Sequence, residues 1–468
     1  MWSISDEQIC SIEATTGRRA VMPCLNVEVV SVNAETNVVP QNAPAKIEEM
    51  DCVVHFRPCQ DWKGEYGFDW MRVGDWGDVA FNRIVAKQYR SKLPKRSENL
   101  EKNVNAYSGN YVFDEFKYKE LKREYNCFSA FSNKRSKNTR FEYFCPWLSM
   151  YPGDTVQLSA IYDVIDTGKP DYLEFAENDN FQVKSSSSSN NNDSNNKNKR
   201  FKCPDVKTVH NDFTIKCLKA FDKDQKIELY AYKGKKKQLA GRLYVWANAQ
   251  PRKIKVVMVE VKTPPISSKD YLKGMADRTF NANKYLRQSL VQIASSNVEF
   301  LDLSDDEEFK LNLLFPNGVY TKNKKINSRA EGNNIKPFYD YVYERLQKKL
   351  KKENKDENKY ADYLKLFFWG EQETIGRLGV SIDKARQIHF FNTTTAVSPE
   401  VLAHEILHAL GLSHTFTNEI AKSTAKYTYW VAQTCNLMDY NQETKKLHYL
   451  YHWQWEVAHN GAKKFQIL

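Results

Sequence analysis

The sequence predicts a multidomain chain in which β-rich N-terminal modules, one of them an immunoglobulin-like sandwich, precede an α/β domain. Three observations carry this reading. At 468 residues the chain exceeds what one hydrophobic core usually holds, and 41% hydrophobic with 13% aromatic residues is a globular composition. Short runs of β-branched and aromatic residues crowd the first half. After residue 250, longer apolar runs alternate with segments of helical spacing.

Residues 1–145 read as a β-rich module: the runs at 27–32, 53–57 and 66–73 are bounded by Asn, Pro or Gly, and 115–125 has helical character. From 146 to 250 the strand signal strengthens. Residues 156–164, 227–232 and 243–246 alternate, 214–218 supplies another candidate, and Pro152-Gly153-Asp154 forms a turn ahead of the first. Strands at this spacing predict an immunoglobulin-like sandwich of about 100 residues. The Ser/Asn/Lys-rich run at 185–199 has no apolar residue and should be disordered. It reads as a loop within the sandwich in preference to a domain linker, because β patterning resumes behind it.

The third domain spans 251–468. Residues 254–261 suit a central strand, 282–294 have helical spacing through Tyr285, Leu286, Leu290 and Ile293, and 298–303 read as a strand. A polar stretch at 304–336 and a charged helix at 337–352 look like surface elaborations. Two further strands at 363–369 and 388–391 lead into a helix over 401–410, and a closing helix is expected at 444–458 with Leu447, Leu450, Tyr451 and Trp455 on its apolar face.

The chemistry concentrates in His404-Glu405-Ile406-Leu407-His408-Ala409-Leu410-Gly411-Leu412-Ser413-His414, which follows H-E-x-x-H-x-x-G-x-x-H at every specified position. Ser398, Pro399 and Glu400 supply a capping hydroxyl, a first-turn proline and an acid at the positive end of the helix dipole. Residues four apart share a helix face, so His404 and His408 present two imidazoles to one point. Glu405 is offset around the helix, where it can reach a metal-bound water without itself coordinating. Gly411 falls where a helix ends on a left-handed residue, and the turn there returns His414 as a third ligand. Three neutral nitrogens with a fourth position open mark one catalytic zinc ion, with Glu405 as general base.

This stretch resembles the metzincin clan of zinc endopeptidases. The resemblance implies an α/β metzincin catalytic domain over 251–468, a peptide or protein substrate, and an edge strand between residues 376 and 383 that takes extended peptide. It also implies a methionine turn downstream, and Cys435-Asn436-Leu437-Met438-Asp439-Tyr440 supplies one. Met438 then forms the apolar floor beneath the metal. Tyr440, two residues on, stands where astacin-like and serralysin-like branches carry a tyrosine that stabilises the oxyanion. Thr415, after the third histidine, matches no large subfamily. Arg57-Pro58-Cys59-Gln60-Asp61 is similar to the latency motif of matrix metalloproteinases but lacks its glycine and second proline, so Cys59 reads as structural. His389, His448, His452 and His459 also read as structural, and His55 and His210 have no partner spacing.

Composition bounds the partners. The net charge of +11 lies largely in short lysine runs and no nucleic-acid motif accompanies it, so nucleic acid is not expected as a partner. No apolar run approaches the roughly 18 to 20 residues of a membrane span. The start, Met1-Trp2-Ser3-Ile4-Ser5-Asp6-Glu7, lacks a secretory signal, so either a signal has been removed or export follows a non-classical route from the cytoplasm. Nine cysteines leave at least one thiol free or paired between molecules, and no C-x-x-C spacing points to a second zinc site. Residues 65–73 and the sandwich after them are similar to N-terminal modules of bacterial type VI-like secretion proteins. A secretion apparatus or carrier protein is therefore an expected partner of residues 1–250, and a secreted or injected effector the expected role. The competing reading is a non-catalytic binding or delivery protein whose zinc domain is a scaffold.

Overall fold

The structure, a computed structural model, describes residues 52–86, 113–125, 128–131, 140–164, 169–186, 200–263, 279, 281–309, 318–323, 325–331, 335–382, 386–391, 397–416, 424–440 and 447–466. It is β-rich, with several sheets and few helices. The strand expected at 27–32 and most of the 185–199 run lie outside the described residues.

Alternating runs in the first half form two sheets. One has four antiparallel strands in the order β1 (Cys52–Pro58), β6 (Thr155–Val164), β10 (Thr208–Cys217), β8 (Phe181–Ser185). The other has six, in the order β2 (Gly67–Asp69), β5 (Trp147–Ser149), β12 (Lys236–Val245), β11 (Gln225–Lys233), β7 (Tyr172–Phe175), β9 (Arg200–Phe201). Both sheets run across residue 145, because β1 and β2 precede it and pair with strands that follow it. A hairpin of β3 (Phe128–Phe131) and β4 (Arg140–Tyr143) lies between. Among the described residues two helices precede that hairpin, α1 (Phe81–Ile84) and α2 (Glu115–Glu124), the second capped by the Asp114 carboxylate accepting the Lys117 N–H at 3.0 Å.

The second half is built on a five-stranded sheet in the order β14 (Val291–Asp302), β13 (Arg252–Lys262), β17 (Leu364–Trp369), β19 (Gln387–Phe390), β18 (Gly379–Ile382). The first four are parallel and β18 is an antiparallel edge. Buried on both faces, the three central strands β13, β17 and β19 read as nearly continuous apolar runs. Ile254, Val256, Met258, Leu366, Phe368, Ile388 and Phe390 face the metal-site helix. Val257, Val259, Val261, Phe367 and Trp369 face α4 (Phe338–Lys352). That helix is therefore not a surface elaboration: Phe338, Val342, Leu346 and Leu350 are buried beneath its lysine-rich face. A two-strand ribbon, β15 (Thr321–Lys322) and β16 (Lys325–Ile326), accompanies it.

The helical spacing at 282–294 yields only α3 (Asn283–Leu286) and a short 3₁₀ turn. Leu290 takes a left-handed φ of 54°, and the β-branched Val291 opens β14. The metal-site helix is α5 (Pro399–Ala409) and the closing helix α6 (His452–Gly461), which starts later than its apolar spacing predicts because Tyr451 is extended and precedes its first turn. Gln454 fixes that start by accepting the Tyr451 N–H at 2.8 Å. One hydrophobic core runs from Cys52 to Phe465. Trp147 stacks on His452 with ring centroids 3.8 Å apart, and Trp62 lies parallel to Tyr449 at 6.2 Å.

Candidate metal centre

The geometry of α5 is locally encoded. Its start follows from Ser398, whose hydroxyl accepts the Val401 N–H at 3.4 Å, and from Pro399 in the first turn. Its end follows from Gly411 at φ +96°: the Leu412 N–H reaches the Leu407 carbonyl at 2.9 Å and the Gly411 N–H the His408 carbonyl at 2.9 Å. This paired closure reverses the chain within two residues and carries His414 back to the helix face.

The three imidazoles meet as the spacing predicts. The Nε2 of His408 lies 3.1 Å from the Nε2 of His404 and 3.1 Å from that of His414. Nitrogens held at about 2.0–2.1 Å from one tetrahedral ion would be about 3.3–3.4 Å apart, so the donor set fits a metal with little adjustment. The opposite ring nitrogens fix the tautomers. His404 Nδ1–H donates to the Leu437 carbonyl at 2.6 Å and His408 Nδ1–H to the Leu412 carbonyl at 2.7 Å. Each neutral ring then turns an unprotonated Nε2 toward the others, and lone pairs facing one another call for a shared positive charge. Burial, reinforced by His408, pushes His404 down to about 3, and the same two causes hold His414 well below the usual histidine range. Protons therefore do not supply that charge near neutral pH. The cluster could hold a metal ion.

Glu405 is buried beside it, and burial pushes its carboxyl up to about 8 against the opposing charge of Arg377. Met438 is fully buried in the core cluster that includes α5. Its carbonyl accepts the Thr415 N–H at 3.0 Å and its N–H donates to Asn436 Oδ1 at 2.9 Å. Tyr440 is 40% exposed, its ring 4.7 Å from that of His414 and 6.2 Å from that of His404. The three histidines and the Tyr440 ring are thus brought together, with Glu405 on the same helix as His404 and His408.

Other residues that position the site have no motif to announce them. The buried Asp439 carboxylate gathers N–H groups from Ala432, Thr434 and Tyr440 at 2.7–3.0 Å, which fixes the turn. Asn436 Nδ2 donates to Gln454 Oε1 at 2.7 Å, strapping the turn to α6. Phe416 stacks on His414 at 5.0 Å. An apolar residue two beyond the last histidine was the available signal for Phe416. Thr415 serves as a tether for Met438. Cys59 packs near Tyr66, which accepts its backbone N–H at 3.2 Å, and it is not part of the metal cluster. His389 is structural: it accepts the Trp369 indole N–H at 3.1 Å and donates to Gln387. Among the described residues no helix is long and apolar enough to cross a membrane. Neither a protein-family model nor a curated protein matches the chain.

Proposed function

We propose that the chain is a zinc-dependent endopeptidase whose catalytic half, residues 251–468, is of metzincin type behind an immunoglobulin-like sandwich. The observation that carries this reading is the convergence of three imidazole Nε2 atoms, two from α5 and one from the turn after it, with Glu405 on the same helix set against the edge strand. Zinc held by His404, His408 and His414 would act as a Lewis acid, bringing the pKa of a water from about 15.7 toward 7. The rest falls to the chain's own groups. Glu405, whose pKa is raised by burial and would be lowered again by the charge of a bound cation, takes the proton of the attacking water as the carboxylate and passes it to the leaving amine. The Tyr440 hydroxyl donates a hydrogen bond to the oxyanion. An extended peptide adds to β18, whose outer edge is unpaired among the described residues. Residues 1–250 would then serve delivery of a secreted or injected effector, by binding a carrier or secretion apparatus.

Metal analysis coupled to peptide-library cleavage tests the reading, comparing wild type with Glu405→Gln. The expected result is about one zinc per chain in both, with cleavage abolished in the variant. Equal cleavage by both overturns the mechanism. Bound zinc with no cleavage by wild type favours the scaffold reading instead.

A further inference from the structure

Two lysine runs look alike in the sequence, Lys235-Lys236-Lys237 and the lysines of 348–352, but their surroundings differ. On α4, Lys348 pairs with Glu344 at 2.6 Å, Lys349 with Glu299 at 2.6 Å and Lys351 with Glu357 at 3.7 Å. Lys235, Lys236 and Lys237 are exposed and have no ion-pair partner among the described residues. They line the tight turn between β11 and β12, where Gly234 takes a left-handed φ of 54° and donates its N–H to the Asp171 carboxylate at 2.7 Å. Beside that turn the six-stranded sheet buries Ile227, Leu229, Ala231 and Leu173, so alternation sets Tyr230, Tyr232 and Tyr172 half-buried on its outer face. Register places Tyr232 between Tyr172 on one side and Lys237 on the other. The Tyr172 and Tyr232 rings stack 4.7 Å apart and 13° from parallel. The Arg200 guanidinium lies 4.2 Å over Tyr172, and the Lys237 ammonium lies 4.2 Å over Tyr230 and 5.6 Å over Tyr232. A row of cation, ring, ring and cation thus crosses four strands, from Arg200 on β9 to Lys237 on β12.

We propose that this row and the lysine turn beside it bind an anionic polysaccharide, a hydroxyl-rich chain carrying sulfate or carboxylate groups. Neighbouring like charges without counter-charges repel one another, and a polyanion laid across them relieves that repulsion. The acids nearby do not do so. Glu174 is engaged by Arg200 at 3.2 Å, Glu228 accepts the Tyr230 hydroxyl at 2.9 Å, and Asp171 holds the turn backbone. Lys235, Lys236 and Lys237 then take the anionic groups. The Tyr172 and Tyr232 hydroxyls, which have no hydrogen-bond partner among the described residues, bond sugar hydroxyls. Single-stranded nucleic acid fits less well, because bases stack on free aromatic faces and here the faces are taken by one another and by cations. An anionic membrane fits less well too, since the row has no aliphatic side chain to insert. The surface does not involve the metal centre, so its failure and that of the protease reading are separate results.

The test is calorimetric titration of the full-length protein with heparin, which carries both sulfate and carboxylate groups, at about 0.15 M salt. Binding is expected, and Lys235→Glu with Lys236→Glu and Lys237→Glu should weaken it at least about tenfold. Tyr172→Phe with Tyr232→Phe, which removes only the two hydroxyls, should weaken it about 3- to 10-fold. Lys348→Glu with Lys351→Glu and Lys352→Glu changes the net charge equally and should leave affinity unchanged. Bound heparin should also protect Lys235, Lys236 and Lys237 of the wild type from acetylation, a measurement that needs no variant to fold. The proposal is overturned by no heparin binding, by equal loss in the two triple variants, or by unprotected lysines at the turn. Tighter binding of oligothymidylate or of phosphatidylserine vesicles than of heparin overturns the polysaccharide assignment.

Discussion

A Cβ atom on Gly379 would lie 2.7 Å from both the Cγ and the Oε1 of Glu405. The edge strand and the acid of the metal helix thus touch where a side chain would leave no room. Gly379→Ala should displace the Glu405 carboxylate without touching a histidine. Misplacement by about 1 Å costs on the order of 100-fold in turnover, so kcat should fall by that order while metal content stays at the wild-type level. Steady-state kinetics with metal analysis checks this, and an unchanged kcat would show that the contact does not position the acid.

Tyr440 is the most exposed of the groups assigned a chemical role, and its hydroxyl rather than its ring is given that role. Tyr440→Phe keeps the ring against His414 and Phe416 and removes only the donor. A loss of kcat on the order of 100-fold with KM little changed is expected from the loss of one oxyanion donor. A larger effect on KM than on kcat would assign Tyr440 to substrate binding instead.

What could be read in the sequence was local. Ser398, the four-residue histidine spacing and Gly411 each act within a turn or two of their own position, and the three-histidine cluster they predict is observed. The edge strand fell where expected, at Gly379–Ile382. What could not be read was non-local. Residues 66–73 look like a strand, but only Gly67–Asp69 pair, because β5 offers just three residues opposite them. Nothing around Gly379 distinguishes it from a turn glycine until Glu405 is seen against it.

Glu371 offers a measurement on the fold. It is 6% exposed, neither carboxylate oxygen has a hydrogen-bond partner among the described residues, and burial pushes its pKa up to about 7 from an ordinary 4.5. The sign follows from proton binding. Between pH 4.5 and 7 the unfolded chain releases this proton while the folded chain keeps it, so stability is lost as pH rises through that window. Glu371→Gln should therefore match wild type near pH 4 and exceed it by about 1–3 kcal/mol near pH 8. Urea unfolding at the two pH values reads the difference directly. A variant no more stable at pH 8 would mean that the carboxylate is compensated after all.

The bracing of the metal centre from the N-terminal side gives the last prediction. Asp69 and Arg72 form a buried ion pair, and the second Asp69 oxygen accepts the Tyr125 hydroxyl at 3.1 Å and the His452 N–H at 2.8 Å. The Arg72 guanidinium lies over Trp70 at 3.8 Å and over Tyr449 at 4.6 Å. Tyr449 in turn accepts the Leu437 N–H at 2.8 Å, and the Leu437 carbonyl holds His404. Arg72→Met leaves Asp69 charged and unpaired in the core, which typically costs about 3–5 kcal/mol. Through Tyr449 and Leu437 it should also loosen His404 and weaken metal affinity by about 10- to 100-fold. Adding Asp69→Asn removes the stranded charge yet keeps an oxygen for the His452 N–H, so the double variant should recover part of both losses. Chelator competition and denaturant unfolding on the single and double variants check this. Recovery of stability without recovery of metal affinity would break the link between the ion pair and the metal centre.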